Sequence, residues 1–137
     1  MGVITMNVEL SRDEFRLLLD LVYIGNWVLN STRTTDPLKE YEQLQEKMFS
    51  LCAENNMRSL AEKWSGHYFP SRAYEEGGIH DAIQKYEDDI FFDDLAEELA
   101  RRDLGEDEGN YELLCKRIDE YMDEFEENGV ENLVLDV

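Results

Sequence analysis

Carboxylates dominate the chemistry open to this sequence. Asp88, Asp89, Asp93, Asp94, Glu97 and Glu98 fall within one stretch of helical periodicity. On a helix, Asp93, Asp94, Glu97 and Glu98 share a face opposite Phe91, Phe92, Leu95 and Leu99. Arg101 and Arg102 follow Glu97 and Glu98 at i+4, the spacing of ordinary helix-surface ion pairs. The plainest reading is therefore a solvated face. A functional reading is an anionic strip on which a basic protein docks, because a field of that sign steers cations and positively charged surfaces. The same carboxylates would suit Ca²⁺, Mg²⁺ or Mn²⁺. Asp103 to Leu114 nevertheless fails as a calcium loop, with no glycine at its sixth position and no acid at its twelfth.

Histidine is scarce. His67 and His80 are the only two, with Asp81 beside His80 and Glu76 four residues before it. Were His67 to fold back on them, His67, Glu76, His80 and Asp81 would make a His₂-carboxylate metal site, the alternative route to an enzyme. No Glu-x-x-His pair for a di-iron bundle is present, nor any Gly-x-Ser-x-Gly elbow, Gly-x-Gly-x-x-Gly cradle or P-loop. No cofactor is expected, and the balance is against an enzyme. A third candidate is the stretch 66–78, the aromatic loop GHYFPSRAYEEGG, preceded by Trp64. Trp64, His67, Tyr68, Arg72 and Tyr74 there either face a ligand or pin a long connection to the core.

The elements that must position these groups read as mainly helical. Phe15 to Leu29, FRLLLDLVYIGNWVL, is apolar on every side of a wheel, which predicts the central helix of a core. Ser11-Arg12-Asp13-Glu14 before it is a capping-box pattern. The run is too short to span a membrane, and Asp20 and Asn26 interrupt it. Asp36-Pro37 predicts the start of a second helix, with Leu38, Tyr41, Leu44, Met48 and Leu51 as its core stripe and Asn55-Asn56 as its end. Met57, Leu60, Ala61 and Trp64 predict a short third helix. From Ile79 to Leu104 the apolar stripe jumps sides, which predicts two helices broken near Asp88-Asp89. After a turn at Gly105–Gly109, the residues Tyr111, Leu114, Cys115, Ile118, Tyr121, Met122 and Phe125 mark a last amphipathic helix, stopped by Asn128-Gly129.

Ile4, Met6, Val8 and Leu10 alternate with polar residues, and Leu133, Leu135 and Val137 repeat that signal more weakly. The expected architecture is thus a single domain over residues 1–137, with five or six helices around the central apolar one. A small two-stranded sheet made from the chain ends closes it, unless terminal strands exchange between two copies.

Composition narrows the class. Of 137 residues, 33 are acidic and 13 basic, a net charge of −20. Residues 1–78 hold 12 acids and 8 bases, or −4, whereas residues 79–137 hold 21 acids and 5 bases, or −16. Such a field repels nucleic acid and anionic lipid and attracts basic proteins. An apolar fraction of 42% argues for a folded chain. Cys52 and Cys115 form no metal or redox motif, and no signal-peptide pattern precedes them, so a cytoplasmic location is expected. Together these features predict a non-enzymatic acidic module that binds a basic protein, as an inhibitor, immunity factor or adaptor does, and that exists as a monomer or homodimer. A structural accessory without a ligand is the remaining alternative.

Overall fold

The computed structural model describes residues 2–136 and is mainly α-helical, with four long helices and one small antiparallel sheet. Contacts gather in two compact units divided between Ile83 and Gln84, where the sequence suggests one domain.

The first unit starts from α1 (Arg12–Asn30), whose capping box forms as expected. The Glu14 N–H donates to Ser11 Oγ at 3.1 Å, and the Ser11 N–H donates to Glu14 Oε1 at 3.0 Å. α2 (Lys39–Ser50) begins later than Asp36-Pro37 would place it and has no side-chain cap of its own. Asn30 holds that start instead: its side-chain oxygen accepts the Leu38 N–H at 2.7 Å, and its amide donates to the Leu38 carbonyl at 3.2 Å. Asp36 is turned to Arg33, with which it pairs at 3.1 Å. The core stripe of α2 also differs from expectation. Tyr41 and Leu44 are about half exposed, while Phe49 and Cys52, the latter in the turn beyond the helix, are fully buried. Asn56, at φ 59°, takes the left-handed conformation that reverses the chain.

The sheet is real, but the chain ends do not make it. Residues 2–10 and 133–136 form no strand, and Val137 lies outside the described residues. A period of two prepares a segment for pairing, yet pairing needs an edge to bond to. The strands are instead β1 (Ala61–Trp64) and β2 (His67–Pro70), in register Ala61 to Pro70 and Trp64 to His67. Ser65 and Gly66 join them, both at positive φ (51° and 79°), the requirement of a tight two-residue hairpin turn. This hairpin replaces the helix expected over Met57–Trp64, of which one 3₁₀ turn, Arg58–Leu60, remains. It also fills the first half of the expected loop. Ser71 then caps a single helical turn, Arg72–Tyr74, and a wide turn Glu75–Ile79 follows, with Gly78 at φ 111°. Gly78 thus supplies the break in the chain's helical path. Leu19, Tyr23, Phe49, Cys52, Met57, Tyr74, Ile79 and Ile83 close the core.

α3 (His80–Leu104) runs unbroken through Asp88-Asp89, where two helices are expected. Its apolar stripe changes sides because its two ends have different work. Ile83 belongs to the first unit's core, and Ala96 and Ala100 are buried in the second. In between, every residue from Gln84 to Phe91 is exposed, so no single face is demanded of the helix there.

The second unit continues through 3₁₀ turns at Gly105–Gly109 into α4 (Tyr111–Asn128). Asn110 caps α4, its side chain accepting the Leu113 N–H at 3.2 Å, and Gly129 at φ 58° ends it. Ala96 and Ala100 of α3 and Leu114 and Phe125 of α4 are the buried residues of this unit among those described, and Phe92 lies against Phe125 with ring centroids 5.5 Å apart. No described helix is long and apolar enough to cross a membrane.

Candidate functional site

The acidic strip is carried by α3. Asp88 and Asp89 are exposed and tied within the helix, Gln84 donating to Asp88 at 2.9 Å and Lys85 pairing with Asp89 at 2.7 Å. Glu97 takes Arg101 at 2.7 Å. Asp93, Asp94 and Glu98 are exposed and have no hydrogen-bond or ion-pair partner among the described residues. Tyr86 and Phe91 stand exposed beside these acids, which puts aromatic surface next to negative charge.

The positive charges of this half are largely consumed internally. Asp103 accepts from Arg102 at 2.7 Å, from Arg117 at 2.6 Å, and from the Tyr121 hydroxyl. Arg117 also reaches Glu120 at 2.6 Å and lies over the Tyr121 ring. The Tyr121 hydrogen bond, with those from the two arginines, holds the Asp103 carboxyl far below the usual carboxylate range. With Lys85 on Asp89 and Arg101 on Glu97, four of the five basic residues after Ile83 sit in ion pairs. Lys116 is the fifth. The surplus carboxylates are left to solvent and to whatever approaches.

The histidines do not meet. His67 Nδ1 lies 2.9 Å from Glu46 Oε1 on α2, and the Tyr68 N–H donates to the same oxygen at 3.2 Å. The His67 hydrogen bond pulls the Glu46 carboxyl below its ordinary value. His80 shares a 2.7 Å hydrogen bond with the Tyr23 hydroxyl and sits edge-on to Trp27 at 4.8 Å. Glu76 pairs with Arg72 at 2.7 Å, and Asp81 is exposed. No group of three or more His, Cys, Asp or Glu side chains gathers in a metal-binding arrangement among the described residues.

The aromatic stretch divides in the same way. Trp64 is 72% exposed, Arg72 and His67 are exposed, and Tyr68 is half-buried beneath the Lys63 ammonium. Tyr74, by contrast, is 1% exposed and belongs to the core. Its ring meets Phe49 and Tyr23 edge-on, and its hydroxyl donates to Asp20 Oδ1 at 2.7 Å. Arg16 completes that network, 2.6 Å from Asp20 and stacked over the Tyr74 ring. Burial, reinforced by the Asp20 bond, pushes the Tyr74 hydroxyl far above its usual pKa. These groups explain the polar interruptions of the apolar helix. Asp20 binds Tyr74, and Asn26 bonds Gln45 and Asn30. Arg16 and Asp20 stand at i,i+4 in the sequence, a legible pair; nothing there announces Tyr74 as their partner.

No family model, no curated protein and no solved structure matches this chain.

Proposed function

We propose that the chain is a non-enzymatic, acidic protein-interaction module that binds a basic protein partner, in the manner of an inhibitor, immunity protein or adaptor, in the cytoplasm. The observation that carries this reading is the internal consumption of cations in the acidic half. Because Lys85, Arg101, Arg102 and Arg117 are all paired within the chain, the exposed carboxylates of α3 present an uncompensated field. The docking strip runs over Asp88, Asp89, Asp93, Asp94, Glu97 and Glu98. Tyr86 and Phe91 add the aromatic surface that turns an electrostatic encounter into a retained complex. The charges raise the association rate and favour a positively charged surface, and the same field disfavours nucleic acid and anionic lipid.

The test is capture of partners from the native cell lysate at rising salt, followed by titration of the captured protein. Its Kd should weaken steeply with salt. Changing Asp93, Asp94, Glu97 and Glu98 together to Asn and Gln should weaken binding at least ~10-fold and flatten the salt slope. Binding and salt slope both unchanged by that swap would refute the proposal.

A further inference from the structure

α1 buries one face and leaves the other bare. Leu19 and Tyr23 point into the core, while Leu17, Leu21 and Val28 are 62%, 69% and 66% exposed. Their spacing of four and seven residues makes one stripe along the helix, with half-buried Ile24 inside it. From Leu17 to Asn30 the only charged residue is Asp20, already held by Arg16 and Tyr74. Gly25 lies on this stripe with open space where a side chain would stand.

The N-terminal segment extends the same surface. Residues 2–10 hold a single charge, Glu9, and leave Val3, Ile4, Met6 and Val8 between 69% and 96% exposed. Met6 and Val8 line an open groove of about 680 Å³ with Phe15 and Leu18 of α1 and Met48 of α2, and Arg12 and Glu54 are its charged members. Leu18 follows Leu17 directly in α1, so the groove lies next to the N-terminal end of the stripe.

We infer that this apolar, sparsely charged face is where two copies of the chain associate, α1 against α1 about a twofold axis. Three observations select a second copy as the occupant. First, between Leu17 and Asn30 the helix offers a basic partner no carboxylate but Asp20, which Arg16 and Tyr74 already hold, on a chain whose net charge is −20. Second, two such chains repel through their acidic surfaces, and approach along this stripe brings the fewest like charges together. Third, the exposed apolar side chains of stripe and N-terminal segment amount to on the order of the ~800 Å² that each partner contributes to a standard interface. The stripe is also self-complementary: Leu21 of one copy can enter the hollow over Gly25 of the other, as isologous packing requires. This inference concerns a different surface from the acidic strip and does not depend on it.

Sedimentation equilibrium of the full chain from about 1 to about 300 µM tests it, at low and high salt, with an expected dimer Kd on the order of 10 µM. The dimer should tighten as salt rises, because screening relieves the repulsion between like-charged copies. The acidic partner complex should respond with the opposite sign. Leu17→Glu with Leu21→Glu should weaken the dimer at least ~100-fold. Gly25→Glu is the second variant: it improves helix propensity and sets a charge at the centre of the stripe, so it must abolish the dimer without lowering the melting temperature of the dilute monomer, measured well below the dimer Kd. The Asn and Gln swap on α3 should leave the dimer intact. A monomer throughout the range at both salts would overturn the inference, as would a dimer that survives Gly25→Glu.

Discussion

The two halves of this chain are held by different forces. Up to Ile83, 13 acids face 8 bases, a charge of −5, and the interior is dense: Leu19, Phe49 and Cys52 are fully buried and Tyr74 is 1% exposed. From Gln84 onward, 20 acids face 5 bases, a charge of −15, and among the described residues only Ala96, Ala100, Leu114 and Phe125 are buried. The first region turns its polar groups inward, where Asp20 and His80 meet tyrosine hydroxyls beside stacked rings. The second arranges its polar groups on the surface, around Asp103. Burial is nearly indifferent to pH and salt, whereas a network of exposed charges answers to both. The acidic half thus has a smaller core and a surface dense in exposed carboxylates.

Removing a core ring from the first region should have the largest effect. Phe49→Ala leaves a void against Tyr74 and should cost about 3–5 kcal/mol, read by denaturant unfolding. A loss below about 1 kcal/mol would break the comparison at its better-packed end.

Asp103→Asn probes the other end. It removes a charge bonded to Arg102, Arg117 and Tyr121, and the exposure of the arginines keeps the expected loss to about 1–2 kcal/mol at neutral pH. The sign with pH follows from the depressed carboxyl. A carboxyl whose folded pKa lies below its unfolded value stabilises fully above the ordinary value of about 4, and loses that contribution as pH falls through the folded pKa. The gap between native and variant should therefore be constant above about pH 5 and narrow below about pH 4. Thermal melts across that range measure it, and a gap that widened in acid would assign the stabilisation to some other group.

Ser11→Ala gives the smallest change, about 1 kcal/mol, by taking the acceptor from the Glu14 N–H. Circular dichroism melts should show it as a shift of the first region, where α1 supplies Leu19 and Tyr23 to the core.

What could be read without coordinates follows the range of the forces involved. The start of α1, the amphipathic α4 and its stop at Gly129 are written in neighbouring residues, and they form as written. The hairpin was also within reach: Ser65-Gly66 between AEKW and HYFP is a turn dipeptide between two short runs, masked by the helical spacing of Met57, Leu60 and Trp64. The Asp103 network is half legible, since Arg117 and Tyr121 stand at i,i+4, while Asp103 comes from another helix.

By itself, then, the sequence determined the helical class, the capping box of α1 and the Gly129 stop of α4, the segregation of negative charge toward the later residues and the absence of a phosphate-binding glycine motif. These depend on composition or on groups within a turn or two of one another. Only the tertiary structure decided which side of α1 is bare, that Tyr74 and not Trp64 is core, that His67 and His80 take separate partners, and that Asn30 rather than Asp36 holds the start of α2. Each of these is a choice among partners far apart in the chain, and burial and hydrogen-bond geometry make that choice only once the elements have packed.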